Sequence, residues 1–316
     1  MRDLSDTDSR SGSGRGLGPK NTVVSVIVCT RDRAHLLERL LASLLTLARE
    51  DNSALEVVLV DNGSTDDTAG VIAQFKARAP FVVKSLHEPR RGWAFGENAG
   101  VRAAAGDLLV FTDDDCVVSS DWIDRFRDLL GACDEAHVIG GRVKLYDIAH
   151  SRITIKEKEV REELRSHDEL FGFVHGCNLG VTRKTFETIG LFDARFGPGA
   201  PMRSGSDVDF LYRAAKAGVP VLYDPSPVVF HNHGRVGESA VRALLNRYAT
   251  GKGALAMKYL LRRDLTIGKL VYWQIRGHLR DCIRGRMRWR PFFADLANLM
   301  KGGVLYLTMG LGRPTT

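Results

Sequence analysis

The sequence predicts an α/β protein: a doubly wound, mostly parallel sheet flanked by helices, with a C-terminal helical extension. Three observations predict it. Short apolar runs of strand length alternate with helix-spaced apolar residues through the first half of the chain. The run Leu108-Leu109-Val110-Phe111 leads into Asp113, Asp114 and Asp115, and open parallel sheets hold ligands just beyond the carboxyl ends of their strands. Charge is also divided. From Val241 onward 15 Lys+Arg stand against 3 Asp+Glu, a local excess of +12, so with +7 overall the first 240 residues carry −5.

Residues 1–20, rich in Ser, Gly, Asp and Arg, hold too little apolar surface to order themselves, and are expected to form a disordered tail. Val23 to Cys29 reads as a first buried strand, and Leu36, Leu37, Leu40, Leu41, Leu44 and Leu45 recur at helical spacing. A second strand, Leu55 to Val60, runs into Asp61-Asn62-Gly63-Ser64-Thr65, where Gly63 suits a tight turn and Ser64 or Thr65 can cap the next helix. Phe81 to Leu86 gives a third strand, and a helix through Asn98 and Val101 leads to the strand at Leu108. Strand and helix alternating at this spacing require right-handed crossovers and a parallel sheet.

The second half is less regular. His137 to Leu145 reads as a strand, the charge-rich Thr154 to Glu169 as an exposed helical connection, and Val219–Tyr223 and Val228–Phe230 as two short strands. Between them a Gly/Pro-rich loop, Phe196 to Gly205, precedes a helix whose first turn carries Asp207 and Asp209, where the helix dipole favours acids. Val241 to Leu261 has helical periodicity.

A chain of 316 residues with 44% hydrophobic and 26% charged residues can bury one large core with an appended segment. Five cysteines without a CxxC pair argue against a disulfide framework or a zinc site. With no apolar leader at the start and no long uncharged apolar stretch, the expectation is a cytoplasmic chain.

Three adjacent carboxylates repel one another, by about 1 kcal/mol per pair in water and more where solvent is scarce. A hard divalent cation, Mg2+ or Mn2+, relieves that repulsion and tolerates shared phosphate oxygens. An acidic loop capping the next helix is the competing explanation.

Five stretches in order, Val26 to Arg31, Val60 to Asp66, Arg91-Gly92 with Asn98, Thr112 to Asp115, and Gly205 to Asp209 with Arg213, together resemble the family 2 glycosyltransferases of the GT-A fold. Tyr223-Asp224-Pro225 through His231 is similar to the family's closing strand. The resemblance covers roughly residues 22–235 and implies transfer of a sugar from a nucleotide-sugar donor, UDP-linked by default. It also implies a domain over 21–235, with a donor half (21–118), an acceptor half (119–235), and a basic extension over 236–316.

On that resemblance, Thr30, Arg31 and Asp61 meet the nucleoside, while Arg91 holds the diphosphate and Gly92 lets the backbone approach it. Asp113 and Asp115 form the spaced acidic pair, with Asp115 on the metal, Asp113 on the metal or ribose, and Asp114 on the donor side or shaping the turn. His231 is a third metal ligand or a structural histidine, and His233 is its weaker alternative. Arg33 reads as a surface charge. Asp207 is the candidate general base; many family members carry Glu-Asp where this chain has Ser206-Asp207, which leaves the base in place and gives Ser206 the flanking contact. His175 and Asn178 line the acceptor side or serve as buried hydrogen-bonding groups.

The implied chemistry is a single in-line displacement at the anomeric carbon, with inversion. The acceptor class is a lipid-linked, polysaccharide or cell-wall glycan. The basic extension, with Trp289, Phe292 and Phe293 among its arginines, either lies on an anionic membrane at its inner face or packs against the sheet. No nucleic-acid partner is expected. A Rossmann oxidoreductase is disfavoured because the first strand leads to Thr30-Arg31-Asp32-Arg33, not GxGxxG. A nucleotidyltransferase lacks its expected Gly-rich basic loop there, and a non-catalytic membrane-binding scaffold would have no use for Asp113, Asp115 and Asp207.

Overall fold

All seven residues of β1 (Val24–Thr30) are buried, which is why the run reads as continuously apolar: helices cover both faces of a parallel strand. The computed structural model describes residues 22–131, 133–165 and 169–309; the expected disordered tail over 1–20 lies outside them. β1 is followed by α1 (Ala34–Leu45), β2 (Leu55–Asp61), α2 (Thr68–Arg78), β3 (Val82–His87), α3 (Trp93–Ala103) and β4 (Leu108–Phe111). These four strands lie in the order β3-β2-β1-β4, all parallel, with Thr30 beside Asp61 and Ile27 beside Phe111. One edge of the sheet therefore gathers the ends of β1, β2 and β4, as the alternating pattern requires.

Beyond β4 the sheet becomes mixed. The elements are β5 (Cys116–Val118), α4 (Trp122–Leu130), β6 (Val138–Leu145), β7 (Glu162–Glu163), β8 (Leu179–Thr182), α5 (Arg183–Ile189), α6 (Ser206–Lys216) and β9 (Val221–His231). The ladder continues β4-β8-β6-β9-β5, with β8 antiparallel to β4 and β6, and β5 antiparallel to β9. Four ladder steps separate β4 from β5, roughly 19 Å across a flat sheet. Only five Cα steps join Phe111 to Cys116, at most about 18 Å when fully extended, and Asp114 and Asp115 form a turn within them. The sheet must curl, and the curl draws the end of β9 around the acidic turn.

Two expectations are corrected. Residues 154–165 are not helical: Val143 and Lys156 exchange backbone hydrogen bonds of 2.9 Å, and β7 pairs with β9. Most charges there are exposed, as expected, but Lys156 faces the fold, 2.7 Å from Glu162 and over the rings of Phe173 and Tyr223. The two short strands expected before His231 are one, β9, whose register against β6 shifts between Gly140 and Arg142. The shift falls opposite Asp224-Pro225-Ser226-Pro227, where two prolines have no N–H for a ladder.

The C-terminal segment forms α7 (Gly237–Leu261), α8 (Thr266–Ile283) and α9 (Trp289–Met309). α7 and α9 touch backbone to backbone: a Cβ at Gly253 would sit 1.9 Å from the Leu299 carbonyl oxygen, and one at Gly302 1.9 Å from that of Thr250. No helix among the described residues is long and apolar enough to cross a membrane.

α7 is tied to α6 by charge. Lys258, 2% exposed, lies 2.9 Å from Asp193 and pairs with Asp209, which also accepts from Tyr259 (2.8 Å) and pairs with Arg213 (2.9 Å). Removing one partner of a buried pair strands the other's charge, at a cost of about 3–5 kcal/mol. Lys258→Met is accordingly expected to lower the urea midpoint by that equivalent; an unchanged midpoint would show that Arg213 and Tyr259 suffice.

Candidate active site

A cleft of about 660 Å³ opens where β1 and β4 end, and the loop before α6 and the first turns of α7 also line it. The acidic turn forms its floor. Thr30 Oγ1 donates to Asp114 Oδ2 (2.8 Å), and Arg33 Nη1 reaches Asp114 Oδ1 (2.9 Å) and Asp115 Oδ2 (3.2 Å). Backbone pairing sets His231 beside the turn: Cys116 is its partner in the β5–β9 ladder, and Asn232 N donates to the Asp115 carbonyl (2.7 Å). Its Nε2 lies 3.3 Å from Asp115 Oδ1.

These contacts separate the three acids. Burial pushes Asp113 up to about 7, helped by the charge on Asp115. Burial also raises Asp114, against the pull of Arg33. For Asp115 the cost of burial is outweighed by His231 and Arg33, which hold it at about 2. His231 rises to about 9, because the Cys177 sulfur and the Asp115 carboxylate more than offset its burial.

The site fits a hard divalent cation. Asp115 Oδ1 is buried without a hydrogen bond, as its 3.3 Å approach to His231 is an ion-pair contact only. One ligand atom each of Asp115, Cys116 and His231 lie within 4.8 Å of one another. Burial holds the Cys116 thiol protonated, so Asp115 is the carboxylate donor of this cluster, His231 can join it once a cation displaces its proton, and Asp113 lines the same cleft; such oxygen donors suit Mg2+ or Mn2+.

On one side, Arg31 and Arg91 line the cleft. Arg31 Nη1 donates to the Asn62 carbonyl (3.1 Å). Gly92, at φ 142°, takes a backbone conformation that a side chain would strain, and its N–H donates to Asn62 Oδ1 (3.0 Å). Asn62 also donates to the carbonyls of Glu88 and Arg90, so one buried side chain fixes the loop that presents Arg91. Asp61 is not among the residues lining this cleft, and its Oδ1 accepts from Ser64 N (2.8 Å).

On the other side, Asp207, Ser206 and His175 line the cleft. Gly205 at φ 89° starts α6 and turns Asp207 into the first turn. Asp207 Oδ1 accepts from Val208 N (2.9 Å), and burial raises its carboxyl above the usual range. Ser206 Oγ is buried without a partner. Burial lowers His175 to about 4, leaving it neutral.

Two expectations fail here. Asn178 is fully buried outside the lining: its Oδ1 accepts from Trp122 Nε1 (2.8 Å) and its Nδ2 donates to the Arg142 and Pro227 carbonyls, which leaves nothing for an acceptor. His233 does not line the cleft, and its Nε2 lies 3.2 Å from the Ser151 carbonyl.

Several lining residues were not foreseen. Arg33 had read as a surface charge, but Asp32 at φ 52° turns the chain so that Arg33 folds back over the acids. Behind the lining, Glu97 of α3 is buried with Oε2 unpaired, raised by burial and by the nearby Asp113 charge. Arg203, Arg235, Leu244, Arg247 and Tyr248 also line the cleft; only the basic character of the segment after Val241 was visible in the sequence.

The curled mixed sheet, with a carboxylate-floored cleft at its parallel strand ends, is the GT-A glycosyltransferase architecture. A solved mannosyltransferase from Pyrobaculum calidifontis, bound to GDP-Man and Mn2+, superposes with a TM-score of 0.60 at 20% identity, over 92% of this chain and 76% of that one. The model of the Glycosyl transferase family 2 matches residues 25–190, more than half of the 316, and the chain belongs to that family. Relatives include an uncharacterized glycosyltransferase of Nostoc sp., 31% identical over 172 residues (52% of each chain). A pre-mycofactocin glycosyltransferase of Mycobacterium tuberculosis is 27% identical over 231 residues, 68% of this chain and 44% of the relative. The chain thus spans about half the length of these relatives.

Proposed function

We propose that the protein is a metal-dependent, inverting glycosyltransferase that moves a sugar from a nucleoside-diphosphate sugar to an acceptor hydroxyl. One observation carries the reading: Asp207, from α6, and Asp113 and Asp115, from the β4 turn, line a single cleft large enough for a nucleotide sugar. Membership of the family and the GDP-Man and Mn2+ held by the structural neighbour support it.

Asp113, Asp115 and His231 would hold Mg2+ or Mn2+, which when bound supplies positive charge to the departing diphosphate. Arg91 and the backbone at Gly92 orient that diphosphate. Asp207 takes the proton of the acceptor hydroxyl as its oxygen bonds to the anomeric carbon. The bond from that carbon to the phosphate oxygen breaks on the opposite face, releasing nucleoside diphosphate with inversion. His175, neutral at the wall, and Ser206, with its unpaired hydroxyl, are placed to bind acceptor hydroxyls.

A thermal-shift screen of UDP- and GDP-sugars with Mn2+ tests the reading. A true donor at a hundredfold its Kd stabilises by about 2.7 kcal/mol, and turnover releases nucleoside diphosphate with an inverted anomeric centre by NMR. Release of pyrophosphate would identify a nucleotidyltransferase instead. Retained configuration would reject the single displacement, and no donor binding at all would leave a scaffold.

The acceptor is a lipid-linked or polysaccharide glycan on this reading, met at an anionic membrane surface. α8 and α9 support it, since Trp273, Ile283 and Phe293 are exposed by 56%, 70% and 58% among Arg276, Arg280 and Arg290. Such a mixture of aromatics and arginines suits the headgroup layer. Co-sedimentation with phosphatidylglycerol vesicles should fall when Trp273 and Phe293 are both changed to Ser; equal binding would remove the membrane role.

A further inference from the structure

Three guanidinium groups line the cleft without a carboxylate of their own. Arg203 lies in the loop before α6, Arg235 just past β9, and Arg247 on α7. Arg33 is ion-paired to the acidic turn, whereas none of these three has an ion-pair partner among the described residues. Arg203 and Arg247 are exposed residues of the cleft wall, but Arg235 Nη1 is buried and has no hydrogen bond. A buried charged donor left unsatisfied costs about 1–3 kcal/mol or more.

The fold holds the three together against their mutual repulsion. Ser204 Oγ donates to the Arg247 carbonyl (2.9 Å), and a Cβ on Gly251 of α7 would sit 2.1 Å from that same oxygen, so the loop is clamped to α7. Arg203 sits at φ 64°, a conformation costly for any residue but glycine. Arg235 is fixed by its own backbone: its N–H donates to His233 Nδ1 (3.0 Å), and its carbonyl accepts from Ser151 N (2.8 Å). Burial lowers the Arg247 guanidinium below its usual range, and the charges of Arg235 and Arg203 add to the effect, as expected of close like charges.

Charge balance says what is missing. The lining holds six guanidinium groups (Arg31, Arg33, Arg91, Arg203, Arg235 and Arg247) against four carboxylates (Asp113, Asp114, Asp115 and Asp207). A nucleotide-sugar diphosphate carries two negative charges and its divalent cation two positive ones, so the pair leaves that excess in place. A second anion would neutralise it; Arg203 lies in the loop that leads to Asp207, Arg247 on the α7 wall, and Arg235 past the end of β9, where its charge also reaches Asp115.

We propose that Arg203, Arg235 and Arg247 form an anion pocket on the acceptor side of the cleft, selecting acceptors that carry a phosphate ester close to the reacting hydroxyl. The proposal rests on the reading of Asp207 as the acceptor-side base. Three forked donors match the oxygens of a phosphate group, and guanidinium binds such groups in bidentate fashion.

Calorimetry on the full chain with Mn2+ and saturating nucleoside diphosphate tests it with two probes. sn-Glycerol 3-phosphate stands for a soluble phosphate ester, and decyl phosphate below its micelle threshold for a lipid-borne one. At least one should bind, and the Arg203→Gln/Arg247→Gln protein should bind it about tenfold or more weakly with nucleoside diphosphate affinity preserved. The single Arg247→Gln variant, changed at an exposed helix position, should show a smaller loss in the same direction. Tighter binding of decyl phosphate assigns the anion to a lipid, and equal binding to a soluble glycan. Three results would overturn the pocket: neither probe binding the unaltered protein, arginine-independent binding, or an equal loss of nucleoside diphosphate affinity, which would move the arginines to the donor. If no nucleoside diphosphate binds, the glycosyltransferase reading fails by itself, and the same titrations on free protein still decide the pocket.

Discussion

Asp207→Asn is expected to lower kcat by about 10²- to 10⁴-fold, the range that a positioned general base contributes, while leaving donor affinity unchanged. The substitution keeps the side-chain oxygen that accepts from Val208 N, so α6 keeps its first turn and only the proton acceptor is lost. Burial raises the Asp207 carboxyl above its ordinary value of 3.8, which makes it a stronger base than a surface aspartate. The sign of the pH dependence follows: the base must be ionised, so the rate climbs as pH rises through that elevated value. The Asn variant should lack this limb. Initial rates measured across pH with a fixed donor decide the matter, and a variant as active as the unaltered protein would place the base elsewhere.

Asp115→Ala should abolish metal-dependent donor binding. Losing even an outer-shell partner of a metal ligand costs about 10- to 100-fold in affinity, and Asp115 offers a buried oxygen that no hydrogen bond engages. The change also takes from His231 its carboxylate and leaves Arg33 with Asp114 alone. Donor titrations with and without Mn2+ should converge in the variant. A persisting Mn2+ effect of full size would mean that Asp113 and His231 hold the cation without it.

The parallel half of the sheet was legible because β1, β2 and β4 are buried on both faces, so local composition reports directly on structure. The acids of the β4 turn were legible for a related reason: an apolar strand that ends in charge marks a sheet edge. Asp207 stood out only through the ordered set of motifs around it, since its local pattern equally suits a helix N-terminus. Arg33 was missed because its role depends on a left-handed turn at Asp32 and on acids about eighty residues away in the chain. Asn178 misled for the opposite reason. Its amide is consumed by Trp122, Arg142 and Pro227, three partners that only the tertiary fold brings together. Lys156 read as solvated for the same want of tertiary information, and it lies against Phe173 and Tyr223.

The buried lysine on α7 has a mechanical consequence. Asp207 and Asp209 share the first turn of α6, and Asp209 is moored through Lys258 to a helix that also walls the cleft with Arg247 and Tyr248. Asp207 and the basic appendage are therefore one lever. A load that shifts α7 is felt two residues from Asp207, and a chain cut after 235 would lose both the wall and the mooring.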